Sequence, residues 1–257
     1  MMKDRMIVQS QRKLSDKIYE MKLKGDLVGE ITSPGQFVHI RVTDSFEPLL
    51  RRPISIAAYD QAEKQMTIIY RAEGRGTTIL SEKRAGDEMD VLGPLGNGFP
   101  VTETASGETA VLIGGGIGVP PLYELSKQLN KKGVRCIHIL GFQSSEAVFY
   151  EKEFSLLGET YIATVDGSQG TTGFVTDVMG QIEEEFATYY SCGPMPMLKA
   201  VQATYSGKKG FLSFEQRMGC GIGACFACVC ETSDNVSKPY VKVCSDGPVF
   251  EAGVVSI

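Results

Sequence analysis

The sequence predicts a chain of three parts: an antiparallel β-barrel, an α/β domain with a parallel sheet, and a small cysteine-rich module at the C-terminus. Short apolar alternations between turn residues fill the first part, strand and helix patterns alternate in the second, and five of the seven cysteines lie in the third. A period of two is typical of antiparallel strands, whereas repeated βα units give a parallel sheet. We place the three parts at residues 1–102, 103–209 and 210–257.

The barrel prediction depends on runs such as residues 36–42 and 66–71, in which apolar and polar side chains alternate. A polar stretch at 102–108 interrupts this pattern and is typical of a flexible linker. After it, an apolar run at 110–113 leads into three glycines and a helical repeat at 122–132. This change predicts the boundary between barrel and α/β domain.

The rest of the α/β domain is predicted from short apolar runs that alternate with helix-like segments. The further strands are expected at residues 134–140, 160–165 and 188–191, and a short strand at 211–214 begins the cysteine-rich module. The further helices are expected at residues 151–157, 174–186 and 195–205. A last β-like run at 240–244 ends at a cysteine.

Charge and hydropathy argue against two classes of partner. The net charge of -5 and the pI near 5.3 disfavour nucleic acid, which binds basic faces. No run approaches the roughly 18 apolar residues that span a membrane, and the chain begins without an apolar leader, so we expect a soluble, cytoplasmic protein. His39 and His138 lie in alternating apolar runs and are interpreted as strand residues, so no histidine-based mechanism is expected.

Four cysteines near the end carry the clearest chemical pattern. Cys220, Cys225, Cys228 and Cys244 form C-x4-C-x2-C-x15-C, the plant-type ferredoxin spacing of a [2Fe-2S] cluster held by four thiolates. Most residues between the first three are small, so the backbone can fold closely around an inorganic core. The pattern indicates electron transfer.

Two other interpretations of the cysteines stay open at this point. Four thiolates also bind structural zinc, although zinc sites usually pair two short knuckles, and a disulfide framework is disfavoured in a cytosolic chain. Cys136 and Cys230 are interpreted as ordinary small apolar residues.

Two segments after predicted strands indicate a nucleotide site. The first is G-x-G-x-x-P at Gly116, Gly118 and Pro121, where glycines admit a pyrophosphate and a helix start offers N–H groups. Taken alone, this segment could be a tight strand-to-helix turn. The second segment is Cys192-Gly193-Pro194.

Two arginine-containing segments of the barrel, residues 51–55 and 70–78, combine guanidinium groups with glycines and hydroxyl side chains. Such groups suit a phosphate-bearing cofactor. By themselves they could equally be solvated loops, because most arginines are exposed.

Together, and in this order, these segments resemble the ferredoxin-reductase family of flavoproteins. Members hold FAD on a β-barrel and a pyridine nucleotide on an α/β domain. The family pattern R-x-Y-S implies that Arg52 binds the FAD phosphates and that Ser55 lies near the flavin ring, while Ile54 stands where the family has a stacking aromatic residue. Tyr70 is one residue that could supply that aromatic surface.

The same resemblance implies that Gly76 and Thr77 meet the FAD pyrophosphate and that Cys192 lies beside the nicotinamide. No general acid or base is expected, so no residue is assigned as catalytic. The expected cofactor-binding residues are Arg52, Pro53, Ile54, Ser55, Ile69, Tyr70, Arg71, Gly76, Thr77, Gly116, Gly118, Pro121, Cys192, Gly193 and Pro194.

Four segments, residues 49–55, 92–98, 114–125 and 215–220, narrow the resemblance to the electron-transfer subunits of NAD-linked, type B dihydroorotate dehydrogenases. The resemblance implies an FMN-containing catalytic partner that oxidises dihydroorotate to orotate in pyrimidine synthesis, in a two-plus-two heterotetramer. Electrons would pass from FMN through [2Fe-2S] and FAD to NAD+. A nicotinamide exchanges two electrons as a hydride and the cluster exchanges one at a time, so a flavin must convert between the two.

Three further expectations follow. Residues 154–198 contain neither Lys nor Arg, so NAD(H) is expected rather than NADP(H), whose 2′-phosphate needs a cation. The tip with Ile222, Ala224, Phe226 and Ala227 is expected to dock the partner, unless these side chains only pack over the cluster. The rival functions are a flavin and iron–sulfur subunit of a hydrogenase or ferredoxin-linked transhydrogenase, and a non-catalytic redox-sensing or zinc-binding module.

Overall fold

The N-terminal part is an antiparallel barrel in this computed structural model, which describes residues 1–234 and 236–257. Its strands are β1 (Met2–Ser15), β2 (Ile18–Lys24), β3 (Phe37–Arg41), β4 (Arg52–Asp60), β5 (Gln65–Arg71) and β6 (Glu88–Leu95). They close in the order β1-β2-β5-β4-β3-β6. Alternate side chains fill the barrel with apolar residues such as Met21, Ile40 and Ile68, none of which is exposed.

One helix, α1 (Arg75–Ser81), follows β5, in a segment for which the sequence suggested only a loop. A 3-10 turn, Asp26–Glu30, connects β2 to β3. Helix α1 buries Gly76 and Leu80 against the barrel, which places the 70–78 segment next to β4.

The second part is a sheet with helices on both faces. Its strands are β7 (Thr109–Gly115), β8 (Arg135–Phe142), β9 (Glu159–Thr164), β10 (Thr171–Thr172), β11 (Thr188–Cys192) and β12 (Lys209–Ser213). The helices are α2 (Pro120–Lys131), α3 (Glu151–Ser155), α4 (Val175–Met179) and α5 (Met195–Thr204). Residues Gly116–Gly118 and Ser145–Ala147 form 3-10 turns.

The C-terminal module adds a hairpin of β13 (Val229–Glu231) and β14 (Tyr240–Lys242), and then β15 (Val249–Glu251). β15 joins the large sheet, whose order is β10-β9-β8-β7-β11-β12-β15. All neighbours in that sheet are parallel except β12 and β15. The module is thus anchored in the α/β domain by backbone hydrogen bonds.

The predicted fold class is confirmed, and the differences from the expected elements have local causes. The helix expected at 174–186 is wrong beyond Met179, where α4 ends and Gly180 caps it. Three consecutive glutamates follow, and Glu184 leaves the helix path to accept a hydrogen bond from Thr109 and pair with Arg135. The boundary at 209/210 stays a prediction, and β12 crosses it.

The stretch at 102–108, which was expected to be a flexible linker, is fixed near its centre by burial and a hydrogen bond. Thr104 is fully buried, and its hydroxyl lies 3.0 Å from Tyr190 Oη. The barrel and the α/β domain also meet at Glu20, a buried carboxylate on β2 that accepts two hydrogen bonds from Arg12 and one of 2.5 Å from Tyr150 Oη. These contacts hold the two domains in one orientation.

Both histidines are strand residues, as expected. His138 on β8 is held by Ser126 Oγ at 2.8 Å and Thr160 Oγ1 at 3.0 Å, and burial lowers its pKa to about 4. Among the residues described, no helix has the length and apolar character needed to cross a membrane.

Candidate active site

A cavity of about 240 Å³ lies where all three parts of the chain meet. Its walls come from β4 and β5, from the turn after β7, and from the segment that follows β12. It is smaller than the roughly 300–1,000 Å³ of a complete small-molecule site, so it can enclose one ring system of a larger cofactor. The lining residues are Phe37, Pro53, Ile54, Ser55, Ile69, Tyr70, Arg71, Ile117, Ser213, Phe214, Glu215, Gln216, Met218 and Pro248.

The six residues from β4 and β5 in this lining were all expected to bind a cofactor. Tyr70, however, is only 1% exposed, because its hydroxyl donates to Gln11 Oε1 over 2.7 Å and its ring stacks on Tyr19. Tyr70 therefore offers little ring surface to a flavin. The half-buried Ile54 presents an aliphatic side chain to the cavity instead.

Arg52 and Gly76, expected near the FAD phosphates, are in contact. A Cβ on Gly76 would lie 2.7 Å from Arg52 Cζ, so the missing side chain lets the guanidinium rest against α1. The adjacent Arg51 points elsewhere and binds Asp90 Oδ1 at 2.7 Å. Arg52 is therefore the arginine of this pair that is placed to meet an anion.

The expected Thr77 stands beside them and organises the start of α1. Its hydroxyl donates to Gly74 O over 3.0 Å, and it lies 3.2 Å from the Gly74 N–H. The side chain of Thr77 thus holds the turn between β5 and α1.

The segment between β12 and the first cluster cysteine was not expected to line the cavity. Glu215 is accessible through the cavity although protein surrounds most of its carboxyl group, and this burial raises its pKa, while the Arg71 guanidinium opposes the rise. The sequence signal was that residues 215–218 lie just before Cys220 and belong to the 215–220 segment that carried the family resemblance. The cavity wall is therefore continuous with the cluster loop.

The two glycine segments of the α/β domain meet at the point where the strand order reverses. β7 lies between β8 and β11, and parallel sheets bind ligands at the carboxyl ends of the strands at such a switch point. A Cβ on Gly118 would lie 2.6 Å from Gly193 N, so the two loops touch through their backbones. Pro121 is in the first turn of α2, where proline suits the helix start.

The same loops reach the cavity. Gly116 has φ +53°, and a Cβ there would lie 3.3 Å from an Arg71 Nη atom, so a barrel arginine covers the first glycine loop. Ile117 lines the cavity directly. A nucleotide on these loops would lie beside a ring held in the cavity.

Cys192 does not line the cavity among the residues described. It is 1% exposed, and burial, reinforced by Glu215, raises its thiol pKa. The thiol is therefore neutral at physiological pH and unsuited to nucleophilic attack. Its expected place beside the nicotinamide stays a prediction.

The four cysteines of the C-x4-C-x2-C-x15-C pattern meet in two pairs. Cys228 Sγ lies 3.1 Å from Cys244 Sγ, and Cys225 donates its backbone N–H to Cys220 Sγ over 3.3 Å. No group of three or more His, Cys, Asp or Glu side chains within 1–234 and 236–257 has the spacing for one metal ion. One sulfur–sulfur contact and one backbone-to-sulfur contact thus divide the four cysteines into two neighbouring pairs, and each iron of a [2Fe-2S] cluster takes two protein ligands.

Backbone N–H groups point at the sulfurs. Ile222 and Gly223 donate to Cys220 Sγ and Cys244 Sγ over 3.5 Å and 3.2 Å, which requires the left-handed φ of Gly221 and Gly223, +72° and +82°. Burial alone would raise the pKa of Cys220, but the N–H donors lower it to about 7. A stabilised thiolate at Cys220 suits an iron–sulfur cluster, whereas burial and the neighbouring Cys228 raise the pKa of Cys244 to about 12.

The barrel supports this loop from behind. A Cβ on Gly221 would lie 2.5 Å from His39 Nδ1, and burial lowers the pKa of His39. Asn97 donates its side-chain amide to the carbonyls of Ser245 and Asp246 at 3.2 Å and 3.0 Å, just after the last cluster cysteine. The sequence pattern did not identify either support.

A larger groove, of about 560 Å³, lies on the barrel between β1 and the residues after α1. It is open, and none of the expected site residues lines it. The groove has the larger volume, but the smaller cavity is the one lined by residues that were expected to bind a cofactor.

Comparison with known families agrees with this division of the chain. Residues 215–256 match the family model described as the iron-sulfur cluster binding domain of dihydroorotate dehydrogenase B. Residues 112–203 match the oxidoreductase NAD-binding domain.

Curated relatives match over almost the whole length. A protein of Lysinibacillus sphaericus named dihydroorotate dehydrogenase B (NAD(+)), electron transfer subunit, is 61% identical over 254 residues, 99% of this chain and 98% of that protein. A protein of the same name from Bacillus mycoides is 57% identical over 256 residues, 99% of both chains.

A solved structure described as an NADH-dependent reduced ferredoxin-NADP oxidoreductase, reported for flavin-based electron bifurcation, superposes with a TM-score of 0.86. It is 27% identical and covers 97% of this chain and 89% of its own.

Proposed function

The chain belongs to the family of dihydroorotate dehydrogenase B (NAD(+)) electron transfer subunits, and from this we propose that it carries electrons between NAD(H) and a catalytic subunit that interconverts dihydroorotate and orotate in pyrimidine synthesis. The observation that carries the proposal is the single cavity in which β4 and β5, the first glycine loop and the segment before Cys220 meet. Three sites for electron carriers thus adjoin one another.

The cofactors are FAD, a [2Fe-2S] cluster and NAD(H) as substrate. When bound, FAD exchanges a hydride with NAD(H) and single electrons with the cluster, which connects this subunit to the FMN of its partner. The protein's contribution is to bind these groups, orient them and keep them close. No proton donor or acceptor from this chain is needed.

We assign the flavin to the cavity, with the residues of β4 and β5 around its ring and Arg52, Gly76 and Thr77 at its phosphates. Their support is the lining of the cavity and the contact between Arg52 and Gly76. The guanidinium supplies charge-assisted hydrogen bonds that fit a phosphate.

The nucleotide is assigned to the touching loops at Gly116, Gly118 and Pro121, and at Cys192, Gly193 and Pro194. Their support is the position of both loops at the switch point of the sheet. NAD(H) is proposed over NADP(H), because residues 154–198 carry no cation for a 2′-phosphate.

The cluster is assigned to Cys220, Cys225, Cys228 and Cys244, on the support of the Cys228–Cys244 sulfur pair and the N–H donors to sulfur. The catalytic subunit is proposed to dock on the exposed side of this loop. Ile222 and Phe226 are 47% and 60% exposed there, and electron transfer requires close approach to the cluster.

Two finer statements complete the proposal. The assembly is a two-plus-two heterotetramer, which a partner that is itself a dimer would produce. The reaction takes place in the cytoplasm, consistent with seven cysteines that are all free thiols.

The decisive experiment is anaerobic NADH-dependent reduction of orotate by this chain, with and without an FMN-bearing catalytic subunit. Reduction is expected only when both are present. If NADH bleaches the flavin but orotate is not reduced, and ferredoxin accepts the electrons instead, the ferredoxin-linked alternative is correct. Size-exclusion chromatography with light scattering on the mixture tests the stoichiometry.

A further inference from the structure

We propose that Lys242 raises the reduction potential of the [2Fe-2S] cluster, as a positively charged residue that lies against the cluster loop without binding the metal. The inference rests on the assignment of the cluster to the four cysteines. It adds to that assignment a residue that tunes the energy of electron transfer.

The side chain of Lys242 bridges the two segments that supply the thiols. Its backbone belongs to β14, two residues before Cys244, while its Nζ donates to Gly223 O over 2.7 Å in the first cysteine loop. Gly223 in turn donates its N–H to Cys244 Sγ over 3.2 Å. One residue, Gly223, therefore connects the ammonium to the sulfur of Cys244 through its carbonyl and its N–H.

The position of the ammonium is fixed by further contacts. Nζ lies 4.3 Å from the centroid of the Phe226 ring, a cation–π distance, and Tyr240 packs edge-on against the same ring at 5.6 Å. The Lys242 backbone N–H donates to Asp246 Oδ2 over 2.7 Å, which directs that carboxylate to the backbone. These contacts reduce the conformational entropy of the Lys242 side chain before a cluster binds.

The charge of the ammonium is not cancelled by an ion pair. Within the described part of the chain, none of the ion pairs includes Lys242. The ammonium contacts the Gly223 carbonyl and the Phe226 ring, and the Lys242 side chain is half-buried. Partly buried charges interact more strongly than charges in bulk water.

The electrostatic consequence has a definite sign. Four thiolates make the cluster site negative, and reduction adds one more negative charge to it. A fixed cation stabilises the reduced form more than the oxidised form, and net charge and hydrogen bonds to sulfur are recognised determinants of cluster potential. Lys242 therefore shifts the midpoint potential in the positive direction, which eases electron entry into the cluster.

The test is EPR-monitored potentiometry of the cluster in the complex with the catalytic subunit, comparing wild type with Lys242→Met, Lys242→Gln and Lys242→Arg. Both neutral variants are expected to have a more negative midpoint potential, whereas the arginine variant stays near wild type. The matched control is Lys208→Met, which removes another lysine whose Nζ lies over an aromatic ring, Phe186, at 5.2 Å but at the opposite end of β12 from the cysteines.

Each outcome decides the question. Equal midpoint potentials in wild type and both neutral variants, or an equal shift in Lys208→Met, would overturn the proposal. Loss of iron from both neutral variants but not from Lys242→Arg would also overturn it, because the residue would then hold the loop rather than tune it. Absence of any reduced [2Fe-2S] EPR signal in wild type would instead refute the cluster assignment itself.

Discussion

The cluster loop and the flavin cavity are built in opposite ways. The four cysteines proposed as cluster ligands come from a stretch of 25 residues, 220–244, and backbone N–H groups of the same stretch donate to their sulfurs. The cavity is lined by residues from Phe37 to Pro248, brought together by the docking of three domains. A site formed by local chain geometry can therefore be predicted from a sequence motif, whereas a site formed by domain packing can be predicted only in part.

The difference also predicts how each site fails. A change within the cluster loop removes one electron carrier and leaves the other two in place. A change between domains alters the position of carriers that are all still bound. Variants in each region can separate the loss of one carrier from the displacement of carriers that are still bound.

Replacing one cluster cysteine should abolish orotate reduction while NADH still reduces the flavin. Cys228→Ser removes one member of the 3.1 Å sulfur pair, so the cluster loses a ligand and the partner is disconnected. Iron content, the EPR signal and NADH-dependent dye reduction are measured together. The matched control is Cys230→Ser, since Cys230 is buried nearby and contacts Gln216 rather than the thiol pairs. Normal iron content in Cys228→Ser would contradict the ligand assignment.

Removing the guanidinium beside α1 should weaken FAD binding by roughly ten- to a hundredfold. Arg52→Ala eliminates the net contribution of about one charge-assisted hydrogen bond to phosphate, worth about 1.5–3 kcal/mol. The dissociation constant for FAD, followed by flavin fluorescence during dilution, measures the effect. Arg5→Ala is the control, because Arg5 pairs with Glu88 on the exposed side of the barrel at 3.1 Å. Equal FAD affinity in both variants would argue against the phosphate role.

Adding one methyl group where the glycine loops touch should raise the KM for NADH by about tenfold, equivalent to about 1.4 kcal/mol. In Gly118→Ala the new Cβ collides with the backbone at Gly193, so both loops must move apart. Steady-state dye reduction gives kcat and KM. Gly180→Ala is the control, because its nearest neighbour would be 3.9 Å away. An unchanged KM in Gly118→Ala would place the nucleotide elsewhere.

The last prediction concerns the contact between barrel and α/β domain, where the expected effect is on stability rather than on electron transfer. Glu20→Gln should destabilise the protein by about 1–3 kcal/mol, because a buried carboxylate with charged hydrogen bonds is replaced. Burial would raise the pKa of Glu20, but Arg12 and Tyr150 lower it below its ordinary value. Its stabilising contribution is thus complete above the unfolded-state pKa and is lost as the pH falls through the lower folded-state pKa.

The free energies of unfolding of wild type and Glu20→Gln should therefore differ near neutral pH and converge below about pH 4. Urea denaturation at several pH values measures this, with Glu88→Gln as the exposed control. A difference that persists in acid would show that the carboxylate charge is not the stabilising feature.

How much the sequence could predict depended on the range of the interactions involved. The cysteine spacing identified the thiols that the structure brings into pairs, and Gly118 with Cys192-Gly193-Pro194 identified two loops that touch. The pattern could not show that residues 215–218 line the flavin cavity, that His39 lies behind Gly221, or that Asn97 holds the chain after Cys244. These contacts join residues far apart in sequence, and no local period or motif records them.

Local chain chemistry determined the barrel, the βα units, the phosphate-binding loops and the cluster loop, because glycine φ values, strand periodicity and ligand spacing act within a few residues. That Tyr70, although it lines the cavity, has its hydroxyl bonded to Gln11 and its ring stacked on Tyr19 follows from the packing of distant strands and not from the local sequence. The tertiary structure alone also decided that the Lys242 ammonium lies against the cluster loop. The physical reason is that side-chain direction and electrostatic environment depend on which distant surfaces pack together.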